Sequence, residues 1–457
     1  VINELSLKNF KSWRNIPAVR LAPITGLFGT NSSGKSSILQ SLLLLKQTLE
    51  SSDRSLPLHF GSERDYVELG SFRDVIYKHA TDDVLRFAFQ WGLVETLKVK
   101  DPNGPKQPPL FQGDTMAFST EIATVKDKLS VREMVYEFDG QEFSLTKKST
   151  GNQYDLSPTS DTGGFRFIRK RGRAWKLPQP FKFHGFPDEA VTYFQNGDFL
   201  VDLQREVEEL FSRIYYLGPL REHPKRRYVW SGGEPHDMGQ RGERYVDAVL
   251  SARNREKYIS PGYKKHKKSL EERVAYWLKE LGLIHSFSVS SIGNGSGLFE
   301  VRVKRGARSP GVLITDVGFG VSQVLPVLVL CYYVDEGSTI LLEQPELHLH
   351  PSVQMGLADV FIDVIKHRNV QIILESHSEH LLTRLQRRLA DETLSTDDVA
   401  LYFCSTGSSG SRMNPLDLDL FGNIKNWPKN FFGDRFKEIV SMQEEGLKRK
   451  LRAEAKG

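Results

Sequence analysis

The sequence predicts an α/β fold whose head is assembled from both ends of the chain, with a β-rich insertion and a helical arm between them. Three observations carry this expectation. A strand, a glycine loop and an apolar helix follow one another within residues 24–46. Strand and helix patterns return after Val301. Between about residue 65 and 200, turn-forming residues break the chain into short β-like runs.

Taken in order, Ile2, Leu5, Leu7 and Phe10 alternate loosely with polar residues, which reads as a half-buried strand, and a turn follows around Ser12-Trp13-Arg14-Asn15. A second strand, roughly Ile24 to Phe28, runs into Gly29-Thr30-Asn31-Ser32-Ser33-Gly34-Lys35-Ser36. The helix beyond it, Ser36 to Lys46, is too apolar all round to lie on a surface. In the middle, the β-like runs Val84 to Trp91 and Met134 to Leu145 are separated by Asp101-Pro102-Asn103-Gly104-Pro105 and by Ser149 to Gly164. Residues 198–213 and 267–283 read as helices, and the Gly- and charge-rich stretch Glu222 to Lys268 between them reads as a lid or arm. After Val301 come Leu313 to Ile314, Gln323 to Tyr333, the strand Ser338 to Leu342, the helix Pro351 to Lys366 and the strand Val370 to Leu374. The expected division is a first part of the head over 1–95, a β-rich insertion over 96–200, a helical arm over 201–300, the second part of the head over 301–415 and a tail over 416–457. Its charged end, Lys448 to Gly457, reads as a solvated helix.

With 457 residues, 39% hydrophobic and 26% charged, the chain has enough apolar material for one large core or two moderate ones. Cys331 and Cys404 are the two cysteines. Cys331 lies in an apolar run, a pattern that suits a reducing cytoplasm. The opening Val1-Ile2-Asn3-Glu4-Leu5 is polar too early for a signal peptide, and no stretch approaches membrane-spanning length, so a cytoplasmic protein without membrane association is expected. A formal charge of +5 is small for this size and does not by itself indicate a nucleic-acid partner.

The glycine loop carries the clearest chemistry. Its backbone must wind tightly for successive N–H groups to converge on phosphate oxygens, and Gly29 and Gly34 permit that. Asn31, Ser32, Ser33 and Ser37 complete the expected phosphate-binding set. Lys35 is placed to reach the β and γ phosphates, Ser36 to ligate Mg, and the positive end of the following helix adds favourable potential. ATP and Mg are therefore the expected cofactors. Such a loop needs an acid to hold the Mg-bound water, and Ile340-Leu341-Leu342-Glu343 places Glu343 at the end of an apolar run.

The segments Leu5-Ser6-Leu7-Lys8-Asn9-Phe10-Lys11-Ser12, Gly29 to Ser36, Glu343-Gln344-Pro345-Glu346-Leu347-His348-Leu349-His350-Pro351 and Glu375-Ser376-His377-Ser378-Glu379-His380 resemble ABC-type ATPases of the SMC, RecF and OLD kind, among the bacterial AAA ATPases. The resemblance covers most of the chain. It implies a split ABC-type P-loop head, with His377 as a switch histidine near the γ-phosphate. Val317-Gly318-Phe319-Gly320-Val321-Ser322-Gln323 is similar in spacing to the family signature, with Gly318, Gly320 and Gln323 matching best and Ser322 in the same segment. A plain strand-to-helix turn is the other reading of those residues. The resemblance implies a head-to-head homodimer or higher homo-oligomer, in which the signature of one subunit faces the nucleotide of another and residues 346–350 lie at the boundary.

Gln344 departs from the family, which usually places a glutamate there to orient or deprotonate water. An amide is no base, yet glutamine positions water in GTPases, so slow hydrolysis is expected. Glu346 serves as a substitute base only if its loop folds back. Arg221 is readable as a charge sensor or as a surface ion pair, and Phe10, Lys11 and Trp13 are candidate adenine neighbours. His348 and His350 have the spacing of a metal pair but no third ligand.

Asp417-Leu418-Asp419 reads as a polar-faced strand and not as a nuclease metal site, because no glutamate-bearing glycine turn precedes it. With no nuclease in the chain, the resemblance points to an effector in trans, such as a nuclease, by analogy with ATPase subunits of anti-phage systems of the Septu and PARIS kind. The stretch Gly422 to Asp434 resembles the tail of an uncharacterised AAA subgroup, with aromatics suited to capping the core or docking a partner. Lys225-Arg226-Arg227, Lys264 to Lys268 and Arg169 to Arg173, with Tyr228, Trp230 and Tyr263 interleaved, read equally as solvated faces or as DNA or RNA contacts. A RecF-like repair ATPase acting on DNA is the alternative function. A transporter ATPase is disfavoured by the signature and the long insertion.

Overall fold

The computed structural model describes residues 1–100, 108–126, 128–149, 151–160, 165–172, 176–262, 264–293, 295–408, 410–428, 431 and 441–446. The expected tail helix over 448–457, the loop at 101–105, Tyr263 and Arg173 lie outside these residues.

Six strands form the sheet that positions the site. In spatial order they are Gly410–Pro415, Val399–Gly407, Ile24–Gly29, Gln371–Glu375, Thr339–Glu343 and Ile214–Leu217. All neighbours are parallel except the edge strand Gly410–Pro415, which runs antiparallel. The glycine-loop strand comes from one end of the chain and its partners from the other, so the sheet itself is split in sequence.

Strand side chains alternate between faces, and each face is buried in a different core. Leu27, Leu341 and Ile373 join one core with the helix Lys35–Glu50 and a second sheet. Phe28, Ile340, Leu342, Ile372 and Leu374 join the other, with the helices Tyr245–Asn254, Leu270–Glu280, Phe319–Tyr333, Pro351–Arg368 and Glu379–Ala390. Burial on both faces explains why these strands read as continuous apolar runs.

The helix Lys35–Glu50 buries Leu42, Leu43, Leu44 and Leu45 alike, the all-round burial its composition calls for. The helix Leu270–Glu280 starts at a reciprocal cap in which Ser269 Oγ accepts from the N–H of Glu272 and the Glu272 carboxylate accepts from the N–H of Ser269. Leu270, Val274 and Leu278 pack it into the same core as Phe319–Tyr333.

The second sheet is antiparallel and seven-stranded, in the order Trp13–Arg20, Ile2–Phe10, Leu85–Val99, Phe111–Val125, Lys128–Phe138, Gln141–Lys147, Tyr154–Ser160. The N-terminal strands and the β-rich middle of the chain therefore share one sheet, and position 95/96 falls inside Leu85–Val99. Several local expectations differ from the structure, and the expected helical arm over 201–300 also holds the antiparallel strand Ser286–Ser291 and the start of its partner Leu298–Lys304. Trp13 starts a strand, with the turn confined to Lys11 and Ser12. The run Met134 to Leu145 is two strands joined at Asp139-Gly140, both at positive φ, an Asp-Gly hairpin signal that the apolar pattern masks. Asp417 and Asp419 flank Leu418, which makes only an isolated antiparallel bridge with Ile424, so they belong to no strand; Asp419 accepts from the N–H groups of Phe421 and Asn423 at the turn that follows.

In the tail, Phe431 packs edge-on against Phe28 and Phe403, so this aromatic caps the core. Cys331 and Cys404 are buried and free, and burial pushes both thiols up to about 12. Among the described residues no helix is long and apolar enough to cross a membrane.

Candidate nucleotide site

The glycine loop emerges from the carboxyl end of a fully buried strand at the centre of the parallel sheet, the usual place for a ligand crevice in such folds. Gly29 sits at φ +138°, and a Cβ there would lie 2.0 Å from the Cys404 carbonyl oxygen. Gly34 sits at φ +89°, and a Cβ there would meet Ser12 Oγ, Ser411 Oγ and Trp13 Nε1 at 2.5–2.8 Å. Both positions need glycine for close approach as well as for conformation.

The loop is braced from outside the motif. The Trp13 indole N–H donates to the Gly34 carbonyl at 2.9 Å, Ser411 Oγ donates to Ser12 Oγ at 2.7 Å, and the N–H of Ser411 donates to the Ser12 carbonyl at 2.8 Å. Trp13 and Phe10 are fully buried, which removes both as adenine neighbours. Lys11 Nζ donates to Gln40 Oε1 at 2.6 Å on the rim of the cleft.

Lys35 curls back over the loop, donating to the carbonyls of Gly29 at 3.2 Å and Thr30 at 2.8 Å, with Glu375 Oε1 3.9 Å away. Burial lowers its pKa and the Glu375 carboxylate opposes that shift. Ser36 Oγ donates to Glu375 Oε2 at 2.7 Å. Ser33 Oγ is buried with no hydrogen-bond partner among the described residues.

A cavity of about 510 Å³ over the loop is lined by Lys11, Ser12, residues 31–37, Gln40, Gln344, Glu375 and His377. A larger basin of about 1220 Å³ includes Lys126, Lys128 and Arg132 in its lining and none of the motif residues.

The two acids of the site occupy equivalent places. Glu343 and Glu375 end adjacent parallel strands and are register partners, but Gln371–Glu375 is the strand that borders Ile24–Gly29. Glu343 Oε1 accepts a 3.0 Å bond from the Tyr216 hydroxyl. Burial, followed by the Glu375 charge, pushes the Glu343 carboxyl up to about 7. Burial likewise raises Glu375, against the Ser36 bond and the Lys35 charge. Sequence reading assigned Glu343 the Mg-side role and gave Glu375 none. Its signal was nevertheless present: Glu375 ends an apolar run as Glu343 does, just before Ser376-His377.

Gln344 has φ +43° and its side chain lines the cleft. His377 lines it too; burial, then the Lys35 charge, lowers its pKa. The N–H of His377 donates to Glu346 Oε1 at 2.7 Å, so Glu346 is a buried brace for this turn and does not line the cleft.

Gly318 is the N-cap of the helix Phe319–Tyr333. Gly318, Gly320, Ser322 and Gln323 do not line the cleft of their own chain. Ser322 Oγ donates to the Phe319 carbonyl and Gln323 is buried, while Phe319, 44% exposed, meets the His348 ring at 5.3 Å. His350 caps the next helix, its ring accepting from the N–H of Ser352. The two histidines thus have separate structural roles, and no group of three or more metal-ligating side chains occurs among the described residues. Arg221 is buried, not a surface ion pair, with Nε and Nη1 unpartnered among the described residues. The basic clusters are partly neutralised: Arg226 pairs with Asp316 and Lys225 with Glu222. Tyr228 is buried and hydrogen-bonded to Tyr245, which removes it as a stacking platform.

The donor set fits a magnesium nucleotide. A loop that only glycine can form, a buried Ser33 hydroxyl with no partner among the described residues, the Lys35 ammonium, and a hydroxyl beside a carboxylate are the groups that phosphate oxygens and a hard cation require.

Among curated proteins no relative matches the chain. Solved structures similar to it include an Smc head bound to the C-terminal winged-helix domain of ScpA, at 12% identity and TM-score 0.44 over 91% of this chain and 98% of that one. The SMC head domain of Thermotoga maritima matches at 12% identity and TM-score 0.38 over 91% and 99%. A Pyrococcus furiosus Smc head with an extended coiled coil matches at 11% and TM-score 0.42 over 97% and 98%. A family model described as a protein of unknown function (DUF3696) covers residues 394–442. The model of the AAA ATPase domain matches residues 1–153 and 247–382, more than half of the chain. The chain belongs to the AAA ATPase domain family.

Proposed function

We propose that this ATPase binds Mg-ATP between two copies of itself and uses it as a slow switch, controlling a partner protein in trans, such as a nuclease, in bacterial anti-phage defence. The observation that carries the reading is the one-sidedness of the cleft. It has a phosphate loop, Glu375, Gln344 and His377, while the Gly318–Gln323 segment of the same chain is not part of it. Around Gly318 a Cβ would meet nothing within 4 Å, and Phe319 is exposed, so this helix start is open to a second molecule.

When bound, Mg-ATP supplies the phosphoanhydride and the cation that offsets its charge. The loop N–H groups and Lys35 hold the phosphates, and Ser36 faces the cation. Gln344 orients water through its amide but takes no proton, which makes turnover slow. His377, which lines the cleft, would report the γ-phosphate to the turn held by Glu346. Exposed Leu420, Phe421 and Trp427 in the tail support docking of a partner protein.

Native mass measurement with and without ATP tests the reading. The expected result is an ATP-dependent doubling of mass in the wild type that Lys35→Ala abolishes. A mass unchanged by ATP, at nucleotide concentrations shown to saturate the site, overturns it.

A further inference from the structure

We propose that Arg221 is a positioning residue of the nucleotide site: from behind the cleft, its guanidinium holds the turn Glu343-Gln344-Pro345-Glu346 in place against the bound phosphates. The inference rests on the reading of the glycine loop as a magnesium-nucleotide site and deepens it by adding a charged group behind the lining of that site.

Placement is the first argument. The strand Ile214–Leu217 runs parallel to Thr339–Glu343 with Leu217 opposite Leu342, so Gly218 follows at the level of Glu343 and Arg221 comes three residues later. The loop is fixed at both ends. The N–H of Gly218 donates to the Gln240 carbonyl at 2.8 Å, and that of Glu222 to the Arg241 carbonyl at 3.0 Å. Tyr216, on the same strand, donates its hydroxyl to Glu343 at 3.0 Å.

The second argument is which side chain this loop turns inward. Leu220 is 62% exposed and Arg221 is 8% exposed, the reverse of the usual partition between an apolar and a charged neighbour. Arg221 Nε and Nη1 are buried with no hydrogen-bond partner among the described residues, a costly state for a group that only donates. A local rule broken at the expense of stability is a mark of a functional position.

The third argument is what the guanidinium acts on. Burial pulls Arg221 down to about 10, and the neighbouring Tyr216, Glu343 and Glu346 oppose that shift. Glu343 and Glu346 flank Gln344, whose side chain lines the cleft, and Glu346 Oε1 accepts from the N–H of His377, which lines it too. Lys11 acts on Glu343 and Lys35 on Glu346, whereas Arg221 acts on both ends of the turn. Buried carboxylates are held in one arrangement only when a cation offsets them. Arg221 does not itself line the cleft, so it acts through the turn and not on the nucleotide.

The test measures affinity for a fluorescent ATP analogue, single-turnover phosphate release with protein in excess over Mg-ATP, and the urea midpoint. The proteins are the wild type, Arg221→Met, Glu346→Gln and the double variant. Arg221→Met is expected to keep nucleotide affinity within about threefold and to release phosphate at least tenfold more slowly, since a small misplacement of a positioned group costs about 10²-fold. Its urea midpoint is expected to stay or rise, because an unpaired buried charge is gone. The double variant is expected to be within about threefold of the slower single variant, because both changes act through one turn. A wild-type rate in Arg221→Met overturns the proposal. So does a rate that falls with the midpoint and returns at a temperature where the variant is fully folded, and so do losses that multiply in the double variant. If Arg221→Met does not fold, Arg221→Gln, which removes the charge and keeps a donor, decides by the same criteria. A wild type that binds no nucleotide overturns instead the reading of the glycine loop.

Discussion

The backbone N–H of Gln344 donates to the carbonyl oxygen of Glu375 at 2.9 Å, one step beyond the parallel ladder that joins their strands. This bond and the positive φ of Gln344 fix its side chain in the lining of the cleft, so a carboxylate at this position would enter the site without rebuilding the turn. Gln344→Glu is therefore expected to raise ATP turnover at least tenfold, since a positioned general base contributes about 10²–10⁴-fold. Phosphate release at saturating Mg-ATP measures it. A fast wild type that the substitution does not accelerate removes the slow-switch argument.

Lys35 makes two hydrogen bonds to loop carbonyls that a phosphate would replace. A charged hydrogen bond is worth about 1.5–3 kcal/mol, so Lys35→Ala is expected to weaken ATP binding by about 10- to 100-fold. Equilibrium titration reads the change directly, and wild-type affinity would exclude the loop as the phosphate site.

Tyr216 satisfies a carboxylate that burial disfavours. Tyr216→Phe leaves Glu343 without that donor and is expected to cost about 1–3 kcal/mol of stability. A urea midpoint indistinguishable from the wild type would show that Glu343 finds another partner.

At Gly29 conformation and space act together. An added methyl would lie 2.0 Å from the Cys404 carbonyl, a backbone atom that the central sheet holds in place. Gly29→Ala is expected to lower the melting temperature and to reduce nucleotide binding. Gly140→Ala is the comparison for space: its φ is also positive, at +70°, but its Cβ would meet nothing within 4 Å, so it is expected to cost only about 1 kcal/mol of backbone strain.

Acid should weaken the turn that holds His184 against the antiparallel sheet, where the Tyr136 hydroxyl donates to the His184 carbonyl. Its ring is fully buried, with Nε2 3.1 Å from Glu208 Oε1 and the Lys182 ammonium nearby. Burial holds the imidazole below its ordinary value, and the His184 hydrogen bond holds the Glu208 carboxyl below its own. Folded His184 and folded Glu208 thus both bind fewer protons than their unfolded forms. Stability is present above an unfolded histidine value of about 6.5 and falls as pH drops below it, through the carboxylate range. His184→Gln is expected to flatten the loss in urea midpoint between pH 7 and pH 5; an equal loss in both proteins would place the acid sensitivity elsewhere.

Local signals in the sequence were sufficient for the glycine loop, for the helix that follows it and for the apolar strands. Each depends on near neighbours: Gly29 and Gly34 on backbone winding, Leu42 to Leu45 on all-round burial, Ile340 to Leu342 on a continuous apolar run. The AAA resemblance followed from the same short stretches. Pairing across the chain was beyond the reach of such signals. Ser12 and Ser411, 399 positions apart, brace one loop, and no periodicity marks either of them. That Glu375 ends the strand bordering the glycine-loop strand, and Glu343 the next one, follows from strand order, a property of how non-local strands pair and not of either strand's composition. Tertiary structure alone therefore decided which carboxylate meets Ser36, because two similar apolar runs, each ending in a glutamate, were told apart only by their distance from the glycine loop.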